Sequence, residues 1–173
     1  MIQPGAVQAL ARNAAVLIFI VIVQTVATAS TNVVTSSADD GVGTLRQAIL
    51  DAASGDAITF ATNLSGATIL LTSGQLELDK NLTIDASILP NGIQIDGNAS
   101  DRIIRVMTGR TVVLTALTLT NGMTANDDGG GIHNSGNLTI NRCLIAGCKS
   151  GIPYYGGGVF NSGYHGGELT INQ

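Results

Sequence analysis

Tryptophan is absent from this 173-residue chain, aromatic residues make up 3% of it and charged residues 12%. So sparse a charge excludes a solvated disordered tail, and so few large side chains argue against an ordinary helical globule. The net charge is −4 and every acidic residue lies beyond residue 30, so phosphate binding gets no support and no nucleic-acid partner is expected. Long apolar runs are missing too. The strongest, Ala14 to Val23, has ten residues, well short of the ~20 a spanning helix needs. Cysteine is limited to Cys143 and Cys148. If the segment between them were extended, their Cα atoms would lie ~16 Å apart, beyond disulfide reach. A turn at Ala146-Gly147 would close that gap, but two thiols packed as small apolar groups is the preferred reading.

The short apolar run has a purpose of its own. Arg12 is the only charge before it, and Ala27-Thr-Ala29 supplies the small-x-small pattern a signal peptidase needs. Residues 1–29 are therefore expected to be a signal segment cleaved after Ala29, with an uncleaved anchor as the alternative. The chain is then secreted or displayed at the cell surface, and touches a membrane only through that segment.

Glycine is plentiful, with 22 residues, and much of it sits in a repeat. Gly129-Gly-Gly-Ile-His-Asn-Ser-Gly136 returns one period later as Gly156-Gly-Gly-Val-Phe-Asn-Ser-Gly163. Asn137-Leu-Thr-Ile-Asn141 returns as Glu168-Leu-Thr-Ile-Asn172 after a longer gap, because Tyr164-His-Gly-Gly167 has been inserted between the halves. An insertion tolerated at one place marks a turn there. Short β-type repeats of this period indicate a solenoid, each repeat burying its apolar face only against its neighbours. The fold expected is all-β, a right-handed parallel β-helix with an amino-terminal amphipathic capping helix. Its parts are a signal segment (1–29), a strand-plus-helix cap (30–55) and parallel coils (56–173). The expected number of coils is four to five at about 27 residues each, and the array is expected to be cut short at its carboxy end.

The capping helix is placed at Thr44 to Ser54. Thr44 and Gln47 have capping-box spacing, Leu45, Ala48, Ile49 and Ala52 form one apolar stripe, and Gly55 is a C-cap. Within the coils, the register of the glycine repeat puts Val113 under Ile140, Leu117 under Leu144 and Leu119 under Ala146. Leu82, Thr111, Leu138 and Leu169 then form a single column. Thr115 falls under Arg142, whose charge requires a bend that throws it outward. Asn134 is expected to stack on Asn161, and Asn141 on Asn172.

Thr44-Leu-Arg-Gln-Ala-Ile49, Gly55-Asp-Ala-Ile-Thr-Phe60, Leu82-Thr-Ile-Asp85 and Ile95-Asp-Gly-Asn98 follow one another in that order. Together they resemble the amino-terminal region of bacterial secreted right-handed β-helix proteins of pectate-lyase-like fold. The Gly-Gly-Gly-Ile and Gly-Gly-Gly-Val runs are similar to the Gly-Gly-Ala-Ile element of polymorphic outer-membrane-protein-like repeats. What the resemblance implies is an extracellular or cell-surface scaffold, or a polysaccharide lyase or hydrolase on the same fold.

For catalysis the candidates are Asp96, Asp101, Arg102, Arg105, Asp127, Asp128 and His133. They match no family motif residue by residue, and no catalytic set is assigned. Asp39-Asp40 and Asp127-Asp128 offer carboxylates and turn carbonyls of the kind Ca²⁺ takes, without the spacing of an established loop. Hydrated turns are preferred, and no cofactor is expected. Tyr154, Tyr155 and Tyr164, with His165 and Phe160, concentrate the aromatics in the last repeats. Flat rings beside glycine-rich turns suit sugars, so these residues are the expected ligand-contact set, with extracellular polysaccharide or a cell-surface glycan as partner. The competing reading is that Phe160 and one tyrosine merely cover the apolar end of the last coil. The function expected is a surface scaffold for adhesion or glycan contact; the alternative is a truncated lyase or hydrolase. A line of acids and bases on one exposed face would mark the enzyme.

Overall fold

The computed structural model describes residues 29–173, so the expected signal segment lies outside the described residues except for Ala29. The chain opens with β1 (Thr31–Val34) and one short helix, α1 (Leu45–Asp51). A first full coil follows as β2 (Ala57–Phe60), β3 (Thr68–Leu70) and β4 (Leu76–Leu78). The next is β5 (Leu82–Asp85), β6 (Ile93–Asp96) and β7 (Ile104–Val106). The third comprises β8 (Thr111–Thr115), β9 (Leu117–Thr120), the short β10 (Met123–Thr124) and β11 (Ile132–Asn134). The fourth comprises β12 (Asn137–Asn141), β13 (Leu144–Ala146), the short β14 (Lys149–Ser150) and β15 (Val159–Asn161), and β16 (Glu168–Asn172) begins another turn. The result is a parallel β-solenoid. Sheet 1 runs β1-β2-β5-β8-β12-β16, sheet 2 runs β3-β6-β9-β13, and sheet 3 runs β4-β7-β11-β15.

Alternation of side chains builds the core. In sheet 1, Ile58, Ile84, Leu114 and Ile140 stand in one inward column, and Leu82, Val112 and Leu138 in another. Sheet 2 contributes Ile69, Ile95 and Leu119, and sheet 3 contributes Leu76, Ile104 and Ile132. All are buried, so each coil's apolar face is covered by the coils on either side.

The register expected from the glycine repeat is wrong by one position in the middle coils. Leu138 pairs with Val112, not Thr111, and Ile140 with Leu114, not Val113. In sheet 2, Leu144 pairs with Thr118 and faces solvent, while Ile145 pairs with Leu119. A slip of one residue turns every side chain to the opposite face, and the burial of Val112 and Leu114 settles which face is inside. The Leu138–Leu169 pairing and both asparagine stacks are as expected: Asn161 lies beside Asn134, and Asn172 donates to Asn141 Oδ1 at 2.7 Å. The bend at Arg142 is present too, with φ at +49° and the side chain exposed; Ala116 (φ +55°) makes the same corner one coil earlier.

The helix is shorter than Thr44 to Ser54. The Thr44 hydroxyl does accept the Gln47 N–H at 3.2 Å, but the Gln47 amide donates to Asp51 instead of closing the capping box. Ala52 turns extended, and the Asp56 carboxylate captures the Ala53 N–H at 2.9 Å, which competes with a further helical turn. Gly55, at φ +100°, therefore serves the turn into β2 and donates to the Asn81 carbonyl. Leu45, Ile49 and Ala52 are buried as the stripe requires. The helix lies over the exposed side of β4: Arg46 donates to the Gly74 and Gln75 carbonyls, and Lys80 Nζ to those of Ile49 and Leu50. Beside it, Asp39 pairs with Arg46 at 2.7 Å and accepts the Thr72 and Ser73 N–H groups. Burial works to raise the Asp39 pKa, yet Arg46 and these N–H groups hold it down to about 2.

The inward column of Leu78 and Val106 continues into a polar residue, Asn134. Its amide donates to Asn161 Oδ1 at 2.6 Å and to the Gly136 and Glu168 carbonyls at 2.9 Å, and its oxygen accepts the Gly136 N–H. Asn134→Ala leaves these groups unpaired in a fully buried position. We expect a loss of about 2–3 kcal/mol, read as an earlier midpoint in urea with an unchanged slope.

Candidate functional site

Sheet 3 carries one outward residue per strand at its centre, and these align as Glu77, Arg105, His133 and Phe160. Neighbouring strands lie ~4.8 Å apart, so an acid, a guanidinium, an imidazole and a phenyl ring follow one another at that step. The loops entering sheet 3 rise beside this column and enclose an open groove of about 290 Å³, lined among others by Gln75, Asp101, Arg105, Met123, Asn126 and Asp127.

The wall of that groove depends on glycine. A Cβ on Gly130 would strike the Lys149 carbonyl of the next coil, and Gly129 holds φ at +72°. Only glycine lets successive wall loops stack this closely, which accounts for the repeated Gly-Gly-Gly. Arg102 pins the wall in place. Buried to 2% exposure, it donates to the Gly129 and Asp128 carbonyls, to Gln75 Oε1 and to Asp127 Oδ2, the last at 2.7 Å.

Of the sequence candidates, Asp101, Arg102, Arg105 and Asp127 line this groove, with Asp128 and His133 adjoining it beside Asp127; Asp96 lies apart on sheet 2, bonded to Asn121 and the Asn98 N–H. Arg102 is structural, since its donors are spent on protein. Asp101 accepts the Arg102 and Gln75 N–H groups and shapes a turn. Asp128 accepts the Tyr155 N–H, tying two wall loops together. Arg105 makes no hydrogen bond or ion pair with any described residue, so its guanidinium is available to a ligand.

His133 is the unusual member. It is 9% exposed, its ring meets Phe160 edge-on at 5.1 Å, and its Nδ1 has no hydrogen-bond partner. The nearest carboxylate oxygen, Asp127 Oδ1, is 3.9 Å away. Burial, helped by the Arg102 and Arg105 charges, lowers its pKa, so the ring is neutral at pH 7. For Asp127, burial opposes ionisation, but the Arg102 bond and the Asp128 N–H outweigh it and lower the pKa.

Tyr155, 71% exposed, sits on the loop entering β15, and Tyr164, wholly exposed, sits in the turn Gly163–His165 that leaves it. Tyr154 is also exposed, and the His165 side chain lies outside what the structure describes. The three tyrosines therefore flank the last strand of sheet 3 without forming one stacked patch. Phe160 does not cover the end of the core: it points outward and packs on His133. Cys143 and Cys148 are free thiols against the core, and burial pushes both pKa values up, which leaves them protonated and poorly nucleophilic.

Sequence reasoning named Arg105 and His133 but missed Glu77 and the alignment itself. The signal was present as Leu76-Glu-Leu78, Ile104-Arg-Val106, Ile132-His-Asn134 and Val159-Phe-Asn161, a shared pattern that recurs once per coil. It is fainter than the Leu-Thr-Ile repeat of sheet 1, because its central residue changes from coil to coil. No family model, curated protein or solved structure matches the chain, so the solenoid and its groove rest on their own geometry.

Proposed function

We propose that the chain is an exported β-solenoid that holds an extended polysaccharide along the outer face of sheet 3. The observation that carries this is the Arg105 guanidinium, free of any described partner, on the floor of a groove otherwise lined by amides, carboxylates, two hydroxyls and the Arg102 guanidinium already bonded to protein. Hydroxyl-rich ligands are recognised by such a mixture of donors and acceptors, and a groove running across stacked strands suits a linear chain. The exposed Tyr154, Tyr155 and Tyr164 extend the contact at the last coil, where flat rings receive sugar faces. Binding of this kind draws on side chains alone. The leader expected from the sequence and the resemblance to secreted pectate-lyase-like proteins support a ligand outside the cell.

The test is a panel of soluble polysaccharides. Arg105→Ala should weaken binding about 10–100-fold, the value of a charge-assisted hydrogen bond, with an unchanged melting curve. Replacing the three tyrosines by Ser should abolish binding of the weaker members of the panel while the β-type circular dichroism persists. A parent protein that binds no member of the panel ends the proposal.

A second reading, cleavage of the same polymer, is favoured by one observation: Glu77, Arg105 and His133 form a line of acids and bases on one face, with His133 neutral at pH 7 beside Asp127. Its signature is new chain ends appearing in the bound polysaccharide, lost in His133→Ala.

A further inference from the structure

Asp56 is a carboxylate without a cation. It is 5% exposed and accepts four hydrogen bonds, from the Ser30 N–H to Oδ1 at 2.8 Å and from the Ser30 hydroxyl, the Asn32 amide and the Ala53 N–H to Oδ2. These donors, the Ser30 and Ala53 N–H groups foremost, hold its pKa down to about 2, so it is ionised. Asp39 has Arg46 and Asp127 has Arg102, but no described cationic side chain pairs with Asp56. The elements around it contribute only neutral groups: Ser30 and Asn32 from β1 and its approach, Ala53 from the turn after α1, and Thr83 of β5, which donates to the Asp56 carbonyl. The nearby charges are otherwise engaged, Lys80 with the carbonyls ending α1 and Asp85 with the Ser87 N–H. Desolvation counts for less here than the hydrogen bonds Asp56 accepts, but an ionised carboxylate this closely surrounded still gains from a cation.

The atom bonded to Asp56 Oδ1 is the nitrogen of Ser30, the residue that follows Ala27-Thr-Ala29. We propose that Asp56 is the receptor for the α-ammonium group created when the Ala29–Ser30 bond is cut. A peptidase selecting small residues at its first and third sites adds water across that bond; the carboxylate leaves on Ala29 and the amine stays on Ser30, taking up a proton. Both residues are exposed, so the bond is accessible. An amide N–H supplies one neutral donor, whereas an ammonium supplies three and a full charge, with Oδ1 still carrying a free lone pair. Removal of the leader thus completes an ion pair that locks β1 against β2, and export and final stability are coupled. This inference is independent of what the groove binds.

The linkage has a definite sign. Pairing with Asp56 raises the amine pKa above its ordinary ~7.7–8.0, so the added stability is fully present below that range and is lost as pH rises through the raised value. The test compares the full-length chain with the product cut from it by a signal-type peptidase, each with Asp56 and with Asp56→Asn. Mass spectrometry should find the product starting at Ser30, and NMR of the isotopically methylated amine should place its pKa a unit or more above the ordinary value. At pH 6 the product should melt about 2–4 °C above the precursor. That gap should close at high pH and be absent in Asp56→Asn. A product beginning elsewhere, an amine titrating at its ordinary value, or an equal gap in Asp56→Asn would each overturn the proposal. The titration decides on the native protein alone if the variant does not fold.

Discussion

Ile49→Asp should convert a soluble solenoid into an aggregating one. Ile49 is 4% exposed in the middle of the apolar stripe of α1, which packs on the first coil. A carboxylate there has no cation to meet: Lys80 is bonded to the carbonyls of Ile49 and Leu50, and Arg46 is turned toward Asp39 and the Gly74–Gln75 backbone. An unpaired buried charge costs several kcal/mol, comparable with the stability of a whole domain. The helix would detach and expose one side of β4, and an uncovered parallel edge recruits other chains. Light scattering during a thermal melt should show early, concentration-dependent aggregation. A variant that stays monodisperse with the parent's melting curve would mean that α1 is dispensable as a cap.

Arg102→Ala should be the most damaging change around the groove, and its effect should be on the fold. Removing the guanidinium strands the Gly129 and Asp128 carbonyls, Gln75 Oε1 and the Asp127 carboxylate, which belong to the first and third coils, on either side of its own. Breaking a buried pair costs about 3–5 kcal/mol, and the low end applies because Asp127 is half exposed. The expected fall in melting temperature is about 6–12 °C. Arg105→Ala, on the strand just beyond and with no described partner, should leave the melt unchanged. Equal melting for the two variants would contradict the division between wall and floor drawn here.

These two arginines show how far the sequence could be read. Both were visible as candidates, yet nothing in their spacing separates them. One is inserted between wall loops because the chain bends there, and the other projects from a strand. The solenoid itself was legible, because a repeat with an insertion between matching halves can only be a coil with an elastic turn. The insertion did fall in a turn, and the stacked asparagines and the outward bend at Arg142 followed from the chemistry of those residues. The register was not legible. Thr111-Val-Val-Leu-Thr115 offers two alternating apolar sets, and coil length in sheet 1 changes along the chain, with Ala57 pairing with Thr83 but Leu82 reaching Val112. Only contact with the neighbouring coils decides between the sets. The groove was hidden for another reason: its column recurs at a nearly constant spacing, but Glu77, Arg105, His133 and Phe160 share no residue type, so only the apolar residues flanking them repeat.

The most direct measurement of the central claim is amide hydrogen exchange of the intact protein with and without a saturating polysaccharide ligand. Added protection at residues 104–106 and 132–134, in the wall loop 121–128 and around Tyr154, Tyr155 and Tyr164, with sheet 1 and sheet 2 unchanged, is the expected outcome. Protection confined to sheet 1 or sheet 2, with the Arg105–His133 face exchanging as in the free protein, would contradict it.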